Sequence, residues 1–425
     1  MNLKSNFAKI VNKLIFVSDS HKKTIFANIC NFLMLMSLTI TFCFYDVYPF
    51  NVVNKFLYFI ISLLMLIYVI IHGKIKIGTL FYLTVALFFF IILSFFLNKN
   101  SSFQTTLFTL LITAYCFYLF YSTDSKLVSI ALNMLLIAGM IFTVYFCVIY
   151  YKELISLDLS TRLGDKISNQ NDVAMLMITI GSIFFYYLMR KNYLIIPFVL
   201  LNIIETISTG SRSGLIFLFL IYLLIIYITF GYKNIKVFFI STLGLILLAV
   251  IILHLPFMQP LKSRFDDLFI QLFLNTSDNV VDSSTNSRLN ALFEGLEMIL
   301  YNPLFGIGNE ITTQFTNNGM AIHNAYIEIG LAYGLIALII YMLLSLYPIN
   351  KLLHDRKKHT DTDLLLAILL ISISIFLFTL SAYRFKIHFF IIALAFAKVG
   401  NQEFEIYPLV YIKKCLSKHN KFVQK

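Results

Sequence analysis

One histidine stands where a polar interval, residues 255–323, meets an apolar run. His323 is the only histidine of that interval. An imidazole titrates near neutral pH, so His323 can take a proton from an attacking hydroxyl. A lone histidine is more often structural, and both roles stay open. Asn324 and Glu328 follow on one helical face, where Glu328 can orient a neighbour or pair with an arginine.

Arginines are the second set of candidates, because the planar guanidinium binds phosphate oxygens through two parallel hydrogen bonds. Five of the seven arginines fall on one side of the membrane in the topology given below, whereas lysine dominates the other side. They suggest an anionic ligand on that side. Contacts with lipid headgroups, or ion pairs with Asp and Glu, explain the same set equally well. The five are Arg162, Arg212, Arg264, Arg288 and Arg384.

The elements that must position these side chains are membrane helices. The chain is 59% hydrophobic and only 13% charged, unlike a soluble domain. Repeated apolar runs of about 20 residues predict helices that satisfy their own backbone hydrogen bonds in lipid. We therefore predict an all-α, polytopic transmembrane helix bundle of about 12 spans. The runs are 24–45, 56–72, 77–97, 104–121, 127–150, 172–189, 194–209, 213–230, 236–254, 324–347, 363–382 and 386–399.

Basic residues predict the orientation, since cytoplasmic loops of membrane proteins carry an excess of Lys and Arg. With both termini in the cytoplasm, about two thirds of the 33 lysines and arginines lie inside. Residues 1–254 then form about nine spans, and residues 255–323 form a large external loop between spans 9 and 10. Residues 324–425 hold the last spans and a basic cytoplasmic tail. The candidate site accordingly faces the exterior or the periplasm.

The external loop is predicted to be partly helical. Apolar residues recur at helical spacing over 261–273 and 289–300, and each segment is too short to span a membrane. Residues 275–287 between them are rich in Ser, Thr, Asn and Asp, which is typical of a loop. Asn302 to Gly308 predicts a tight turn that closes the second helix. We expect both helices to lie over the external mouth of the bundle.

Two other external segments carry candidate arginines. Arg162 precedes a polar run, Asn169 to Asp172, and Arg212 lies in the small-residue turn Ser208 to Gly214. Small residues let other groups approach Arg212 closely, although any helical hairpin needs such a turn. Glu205 is an acid within an apolar run, where a charge is costly. We interpret Glu205 as the counter-ion of Arg212.

Several other classes of protein lack support in this sequence. It contains no glycine-rich loop followed by Lys-Ser or Lys-Thr, and no Cys/His spacing of a zinc site. We assign the adjacent acids Asp266 and Asp267 to the solvent-exposed face of a surface helix. We expect no metal, no other cofactor and no nucleic acid partner. Secondary transporters place polar residues at the membrane midplane, whereas here such residues gather at one face.

An ordered set of short motifs resembles the O-antigen ligase and Wzy polymerase family of integral membrane glycosyltransferases. The large loop after the ninth span and the twelve-span layout are similar too. The resemblance covers the second half of the chain closely and the first half only in hydropathy. The motifs are Ser208-Thr209-Gly210-Ser211-Arg212-Ser213-Gly214, Ser287-Arg288-Leu289, Asn302-Pro303-Leu304-Phe305-Gly306-Ile307-Gly308, and His323-Asn324 followed by Gly330 and Gly334.

The resemblance implies transfer of a glycan from undecaprenyl pyrophosphate at the external face of the bacterial cytoplasmic membrane, without metal or nucleotide. It implies that Arg212 and Arg288 hold the pyrophosphate and that His323 assists the attacking hydroxyl, so these three are the catalytic candidates. Arginines that stabilise charge on a departing pyrophosphate would replace a metal. The substrate-binding candidates are Arg264, Arg384, Arg162, Asn324 and Glu328.

The acceptor separates the alternatives within that family. A polymerase adds the growing chain to another lipid-linked repeat unit, and a ligase adds it to lipid A-core. The Ser-Arg-Ser-Gly turn resembles polymerases more, so we expect a polymerase of O-antigen, capsule or exopolysaccharide. A lipid-linked glycan flippase is the non-enzymatic alternative and would leave the external loop dispensable. The expected partners are the undecaprenyl-pyrophosphate-linked glycan and the lipid bilayer, with a chain-length regulator and a flippase as further partners.

Overall fold

The structure is a computed structural model of the full chain. It describes residues 22–72, 75–98, 103–156, 162–231, 235–254, 283–309, 322–354, 360–380, 385–400 and 404–406, together with the isolated residues 259, 262 and 263. Over this part of the chain the backbone is almost entirely helical.

The described helices and strands follow one another with short connections. A 3₁₀ turn, Tyr193–Ile195, directly precedes the helix Ile196–Ser208. A π-helical turn, Tyr227–Gly231, directly follows the helix Arg212–Ile226. The elements in order are α1 (Lys22–Cys43), α2 (Phe50–His72), β1 (Ile75–Ile77), α3 (Thr79–Leu97), α4 (Thr105–Tyr121), α5 (Ser125–Ile149), α6 (Tyr151–Ser156), α7 (Gln170–Met189), α8 (Ile196–Ser208), α9 (Arg212–Ile226), α10 (Ile235–Leu253), α11 (Ser283–Tyr301), α12 (Ala325–Tyr333), α13 (Leu335–His354), α14 (Asp361–Phe376), α15 (Lys386–Val399) and β2 (Phe404–Ile406).

Seven helices among the described residues are long and apolar enough to cross a membrane: α1, α2, α3, α5, α7, α9 with its π turn, and α13. Three shorter apolar helices, Thr105–Tyr121, Tyr193–Ser208 and Ile235–Leu247, accompany them. The predicted all-α membrane bundle is therefore confirmed as a class. The number of twelve spans stays a prediction.

Two helices form the centre of the bundle. Every residue of α7 from Val173 to Tyr186 is buried, and so is every residue of α15 from Ile387 to Phe396. A helix that is apolar all round must be enclosed by other helices or by lipid. On α2, by contrast, large apolar side chains such as Phe56 and Phe59 remain exposed, which is the pattern expected of a helix that faces lipid tails.

Many of the connections between helices gather at two opposite ends of the bundle. At one end, Arg190 forms an ion pair with Asp361, with Nη2 and Oδ1 2.6 Å apart. The hydroxyl of Tyr186 donates a hydrogen bond to the backbone carbonyl of Asp361. Strand β1 pairs with β2 in antiparallel register at this end. The 3.7 Å ion pair between Lys398 and Asp363 joins α15 to α14 there.

The other end, called the loop end, holds residues 44–49, 98, 103–104, 150–156, 162–169, 209–211, 377–380 and 385. Backbone hydrogen bonds tie some of its segments together. The amide of Asp46 donates to the carbonyl of Ile167, and the amide of Leu163 donates to the carbonyl of Ser208. These two bonds join residues 162–169 to the end of α8 and to the connection between α1 and α2. The amide of Ala325 lies 3.0 Å from the carbonyl of Leu377, which joins the start of α12 to the end of α14.

The predicted span 324–347 is not one continuous helix. The chain leaves α12 at Tyr333, passes through Gly334 with a φ of 92°, and begins α13 at Leu335. The left-handed backbone at Gly334 is one that side chains with a Cβ rarely adopt. The prediction of an uninterrupted span was wrong, because a left-handed residue ends the α-helical hydrogen-bond ladder.

The turn Asn302 to Gly308 fills this break. The carbonyl of Pro303 accepts from the amide of Leu335 at 2.7 Å, and the amide of Ile307 donates to the carbonyl of Leu331 at 2.7 Å. A helix interrupted beside lipid needs partners for the backbone groups it frees. The predicted tight turn is confirmed, and it supplies those partners.

A side chain from α3 completes the break. The hydroxyl of Ser94 donates to the carbonyl of Ala332 at 2.6 Å. The side-chain amide of Asn98, one turn further on, approaches the carbonyl of Phe305 at 3.5 Å. Helix α3, the turn and the broken helix therefore form one hydrogen-bonded unit.

Of the two predicted loop helices, the second is confirmed as α11. Its residues Ala291 and Ile299 pack in a small apolar cluster with Ile327 and Leu331 of α12. Phe293 stays 64% exposed, so only one apolar stripe of α11 is covered by protein. The first predicted helix, 261–273, lies almost entirely outside the described residues.

Replacing Gly334 by Ala should destabilise the protein, because φ is positive there and the new Cβ would overlap the backbone oxygen of Leu304. We expect a loss of about 2 kcal/mol or more, since strained backbone alone costs about 1–3 kcal/mol per residue. Thermal unfolding in detergent, followed by size-exclusion chromatography, measures the effect. Gly244→Ala is the matched control, because a Cβ at Gly244 meets nothing within 4 Å. Equal stability of the two variants would contradict this account of the break.

Candidate functional site

The turn that begins α9 presents an arginine at the loop end. Ser211 is the N-cap of α9, and its hydroxyl oxygen accepts from the amide of Gly214 at 3.2 Å. Serine is favoured there because it satisfies an amide that the helix leaves without a partner. Gly210 has a φ of 60°, which turns the chain sharply before the cap. Arg212 is therefore the first helical residue, half-buried at the positive end of the helix dipole.

A second arginine is fastened to the same turn. The Nε of Arg162 donates to the carbonyl of Thr209 at 3.0 Å, and its Nη2 donates to Oδ1 of Asn171 at 3.2 Å. The hydroxyl of Ser211 donates to that same Oδ1 at 3.0 Å. Asn171 is thus an acceptor shared by the arginine of one loop and the helix cap of another. This arrangement, Arg162, Asn171, Thr209, Ser211 and Arg212, is called the arginine turn below.

Close packing of α7 against α9 helps to position the arginine turn. A Cβ on Gly214 would lie 2.9 Å from the Cβ of Ala174, so a larger residue at either position would push the helices apart. The glycine that ends the Ser208 to Gly214 motif has a packing role as well as a turn role. The motif therefore brings α9 against the start of α7, where Asn171 lies.

Tyr150 organises the loop that carries Arg162. Its hydroxyl accepts from the amides of Gly164 and Lys166, at 3.1 and 2.8 Å, and donates to Oδ1 of Asp165 at 3.0 Å. Burial raises the pKa of Tyr150, so the hydroxyl keeps the proton that it donates to Asp165. Lys166 also lies over the ring of Tyr150, 4.6 Å from its centroid. One tyrosine side chain thereby fixes the backbone two residues after Arg162.

A serine joins two acids next to this loop. The hydroxyl of Ser168 lies 2.6 Å from Oδ2 of Asp46 and 3.1 Å from Oδ2 of Asp172. Asp46 follows α1, and Asp172 lies in the first turn of α7. The contact anchors the loop to the first connection of the bundle. Among the described residues, no group of three or more His, Cys, Asp or Glu side chains could hold a metal ion.

His323 lies in a strained backbone conformation immediately before α12. Its φ of 49° is one of two positive values found for described residues other than glycine. Histidine is among the few residues that adopt the left-handed region at moderate cost. The side chain is half-buried. A strained residue in a loop is a reason to look for a functional role.

Asn324 caps the helix that follows His323. Its Oδ1 accepts from the amides of Tyr326 and Ile327 at 3.0 and 3.1 Å, and the residue is 4% exposed. The structure thus assigns a capping role to this oxygen, and a substrate-binding role for Asn324 stays a prediction. Glu328 lies in the first turn of α12, and its amide donates to the carbonyl of Asn324. A carboxylate is favourable at this end of a helix.

The arginine turn and His323 are connected through the end of α14. Phe217 of α9 packs against Phe376, with ring centroids 5.4 Å apart. Tyr326 of α12 packs against Phe378, with centroids 4.5 Å apart. The amide of Ala325 donates to the carbonyls of Leu377 and Leu380. Residues 376–380 therefore hold the starts of α9 and α12 at the same end of the bundle.

The five candidate arginines fare differently. The side chains of Arg162 and Arg212 are described, and both belong to the arginine turn. Arg288 lies in α11, whose backbone is described there while its side chain is not. Arg264 and Arg384 lie outside the described residues. The predicted roles of these three arginines stay predictions.

The interpretation of Glu205 as the counter-ion of Arg212 is not supported. Glu205 is fully buried, and its Oε1 accepts a hydrogen bond from the thiol of Cys147 at 3.3 Å. Cys147 lies on α5, whereas Glu205 lies on α8, so the contact joins two helices. Proximity in sequence suggested Arg212 as the partner, whereas the hydrogen bond that Glu205 accepts comes from α5.

Residues that sequence reasoning did not single out complete the arginine turn. Asn171 was visible as part of the polar run after Arg162, but nothing in the run identifies it as the shared acceptor. Tyr150 gave no signal, because tyrosine at the end of an apolar run is typical of an interfacial anchor. Only contacts between distant segments reveal these roles.

The fold and the site together define a polytopic helical membrane protein with a cationic turn and a strained histidine at one end of the bundle. A family model described as O-antigen ligase, Wzy_C, matches residues 197–342. The resemblance to the O-antigen ligase and Wzy family is thereby confirmed for residues 197–342. No curated protein matches the chain.

The matched region begins in α8 and ends in α13. It contains Arg212, Arg264, Arg288 and His323, while Arg162 and Arg384 lie outside it. Arg162 is nevertheless fastened to Thr209, within the matched region, by a side-chain hydrogen bond. Arg162, from the first half of the chain, therefore adds a positive charge next to the matched residues 197–342.

Removing the shared acceptor should loosen the arginine turn. We expect Asn171→Ala to lower stability by about 1–2 kcal/mol, because it removes an acceptor of two hydrogen bonds, one of them from a charged group. Thermal unfolding in detergent measures this loss. Gln170→Ala, at the neighbouring position of α7, is the control and should change stability by less than about 0.5 kcal/mol. An unchanged unfolding temperature for Asn171→Ala would show that Asn171 does not hold the turn together.

Proposed function

We propose that the protein polymerises undecaprenyl-pyrophosphate-linked oligosaccharide repeat units into a surface polysaccharide. The observation that carries the proposal is the arginine turn, in which Arg162 and the helix cap before Arg212 share one acceptor at the edge of the family domain. An arginine at the first position of α9, with a second arginine bonded to the turn before it, suits a diphosphate at the helix N-terminus. The family match supports the glycosyltransferase class of the reaction.

The reaction is a single displacement at a sugar carbon. A hydroxyl oxygen of the acceptor repeat unit forms a bond to the anomeric carbon of the donor glycan. The bond from that carbon to the pyrophosphate oxygen breaks, and undecaprenyl pyrophosphate leaves with the electron pair. The hydroxyl proton passes to a base. Atoms and charge balance without an oxidant, a nucleotide or a metal.

Each candidate residue has one task in this reaction. Arg212 and Arg288 stabilise the negative charge that grows on the leaving pyrophosphate, which is worth most where water is excluded. His323 accepts the proton of the attacking hydroxyl. Arg162, Arg264 and Arg384, with Asn324 and Glu328, bind and orient the glycan-lipid substrates.

Membrane anchoring of the substrates supports such a mechanism. A lipid-linked donor is held at a fixed depth by its chain, so part of the entropy of bringing the reactants together is lost before the reaction begins. The protein then needs to orient the headgroups. A rigid loop end, with hydrogen bonds between its segments, is suited to that task.

The second candidate is a ligase that transfers the glycan to lipid A-core. One observation favours it: the matching family model carries the description O-antigen ligase. The donor and the reacting bond are the same in both reactions, and the arginine turn serves either one. A flippase of lipid-linked glycans is the third candidate, and it would form no glycosidic bond.

The proposed location is the bacterial cytoplasmic membrane, with both termini inside and the loop end at the external face. The distribution of lysines and arginines along the chain supports this orientation. The proposed partners are the lipid-linked glycan and the bilayer, with a chain-length regulator and a flippase acting on the same pathway.

Substitutions at the site should abolish polymer formation without unfolding the protein. We expect Arg212→Gln to reduce the rate at least about 100-fold, the usual loss on removal of one stabilising donor. His323→Asn should reduce the rate by at least about 100-fold as well, because proton transfer is lost. Asparagine tolerates the left-handed backbone at this position, so the loop geometry is retained. Rates are measured as glycan length against time on gels.

Arg190→Gln is the matched control, since it removes the same charge at the opposite end of the bundle, where Arg190 pairs with Asp361. It should retain activity after correction for membrane insertion. If His323→Asn polymerises at the rate of the unmodified protein, His323 is structural. If Arg212→Gln does so too, the arginine turn is not the pyrophosphate site.

The acceptor decides between the two enzymatic candidates. Purified protein given lipid-pyrophosphate repeat units alone, without metal or nucleotide, should produce a ladder of glycans spaced by one repeat unit. The ladder is read on a gel. Transfer that occurs only after lipid A-core is added would replace the polymerase by the ligase. Folded protein that yields neither product would support the flippase instead.

A further inference from the structure

A cavity of about 290 Å³ opens on the flank of the bundle at the loop end, apart from the arginine turn. It lies between the first turns of α2, α4 and α15. Lys55 of α2 and Lys386 of α15 contribute the charged groups of its lining. Thr105 and Thr106 of α4 contribute hydroxyl groups. The volume is just below the roughly 300 Å³ at which the range of small-ligand sites begins.

The two lysines bring unbalanced positive charge into this cavity. Lys55 acts on Lys386 by Coulomb repulsion, and Asp46 opposes that repulsion more weakly. The carboxylate of Asp46 is already hydrogen-bonded to Ser168. Neither lysine has an ion pair or a side-chain hydrogen bond with the residues that the structure describes. An anion between the two ammonium groups would remove the repulsion.

The start of α4 adds donors to the same cavity. Its N-cap, Gln104, makes no side-chain hydrogen bond to the first turn. The amide of Thr105 bonds to the carbonyl of Phe103, so the helix start offers the amides of the residues that follow Thr105. Such amides and the helix dipole favour phosphate oxygens. Thr109 donates its hydroxyl to the carbonyl of Thr105, so it presents only lone pairs to a ligand. The donors therefore lie mainly at the N-terminal end of α4, beside the lysines.

Part of the remaining wall of the cavity is apolar and faces outwards. Phe59 lines it and is 56% exposed, and Leu63, one turn further along α2, is 48% exposed. These side chains lie on the face of α2 that contacts lipid. A ligand with a phosphate at one end and a hydrocarbon chain at the other would match both parts of the surface.

We propose that this cavity binds the phosphate group of an anionic membrane lipid, with the ammonium groups of Lys55 and Lys386 on the phosphate oxygens and the hydrocarbon chain along the exposed face of α2. The lipid comes from the leaflet at the loop end. A phospholipid and a polyprenyl phosphate share this chemistry. Because the cavity is separate from the arginine turn, failure of this site would leave the proposed reaction at Arg212 untouched.

Native mass spectrometry of the delipidated full-length protein tests the proposal. The probes are phosphatidylglycerol, undecaprenyl phosphate, phosphate-free diacylglycerol and inorganic phosphate. We expect the double variant Lys55→Gln with Lys386→Gln to bind phosphatidylglycerol roughly 30-fold more weakly, because each lysine near a membrane surface is worth about 1 kcal/mol. The control double variant, Lys126→Gln with Lys191→Gln, removes two exposed lysines from the opposite end and should bind as the unmodified protein does.

The charge-preserving pair Lys55→Arg with Lys386→Arg should retain binding, and it guards against a glutamine variant that fails to fold. Tighter binding of undecaprenyl phosphate than of phosphatidylglycerol would support the site and identify a lipid-linked substrate as its occupant. Equal binding of the two would support it as a site for a structural phospholipid. Equal binding of diacylglycerol, equal losses in both glutamine variants, or binding of inorganic phosphate without lipid would overturn the proposal.

Discussion

The structure depends on one constraint, which is that no backbone amide or carbonyl can be left without a partner beside lipid. The break between α12 and α13 meets that constraint with the turn Asn302 to Gly308, whose carbonyl at Pro303 and amide at Ile307 bond to the freed groups. Ser94 from α3 bonds to one more. A segment of the extramembrane interval is therefore built into the membrane bundle. The same contacts fix α12, and with it the strained backbone of His323 at its start.

Polar side chains at the loop end also need hydrogen-bond partners. Arginine is costly near lipid unless it is paired or reaches water, and Arg162 meets this condition by binding a carbonyl and the amide oxygen of Asn171. Tyr150 then holds the following loop by accepting from two backbone amides and donating to the side chain of Asp165. The cost of placing cations here is offset by bonds to neutral groups.

This organisation fits an enzyme whose substrates arrive through the membrane. The buried centre, α7 and α15, is apolar along most of its length. The charged groups lie at the end where α9 and α12 begin, and residues 376–380 hold those two helices in one layer. Under the proposed function, the reaction takes place in this layer and the lipid chains enter from the flank. The lysine-lined cavity beside α2 lies at the same end of the bundle.

Local patterns in the sequence were enough to identify the membrane bundle, α11, the turn Asn302 to Gly308 and the family, because apolar periodicity and short motifs reflect forces between near neighbours. They also located Arg212 and His323 next to helix starts.

Local patterns did not reveal the break at Gly334, since a glycine in an apolar run is common and its φ depends on what packs against it. They assigned Glu205 to Arg212, whereas the packing of α5 against α8 gives it Cys147. The shared acceptor Asn171 and the pairing of Lys55 with Lys386 were equally hidden. Each joins residues far apart in the chain, and only tertiary structure decides which distant side chains meet.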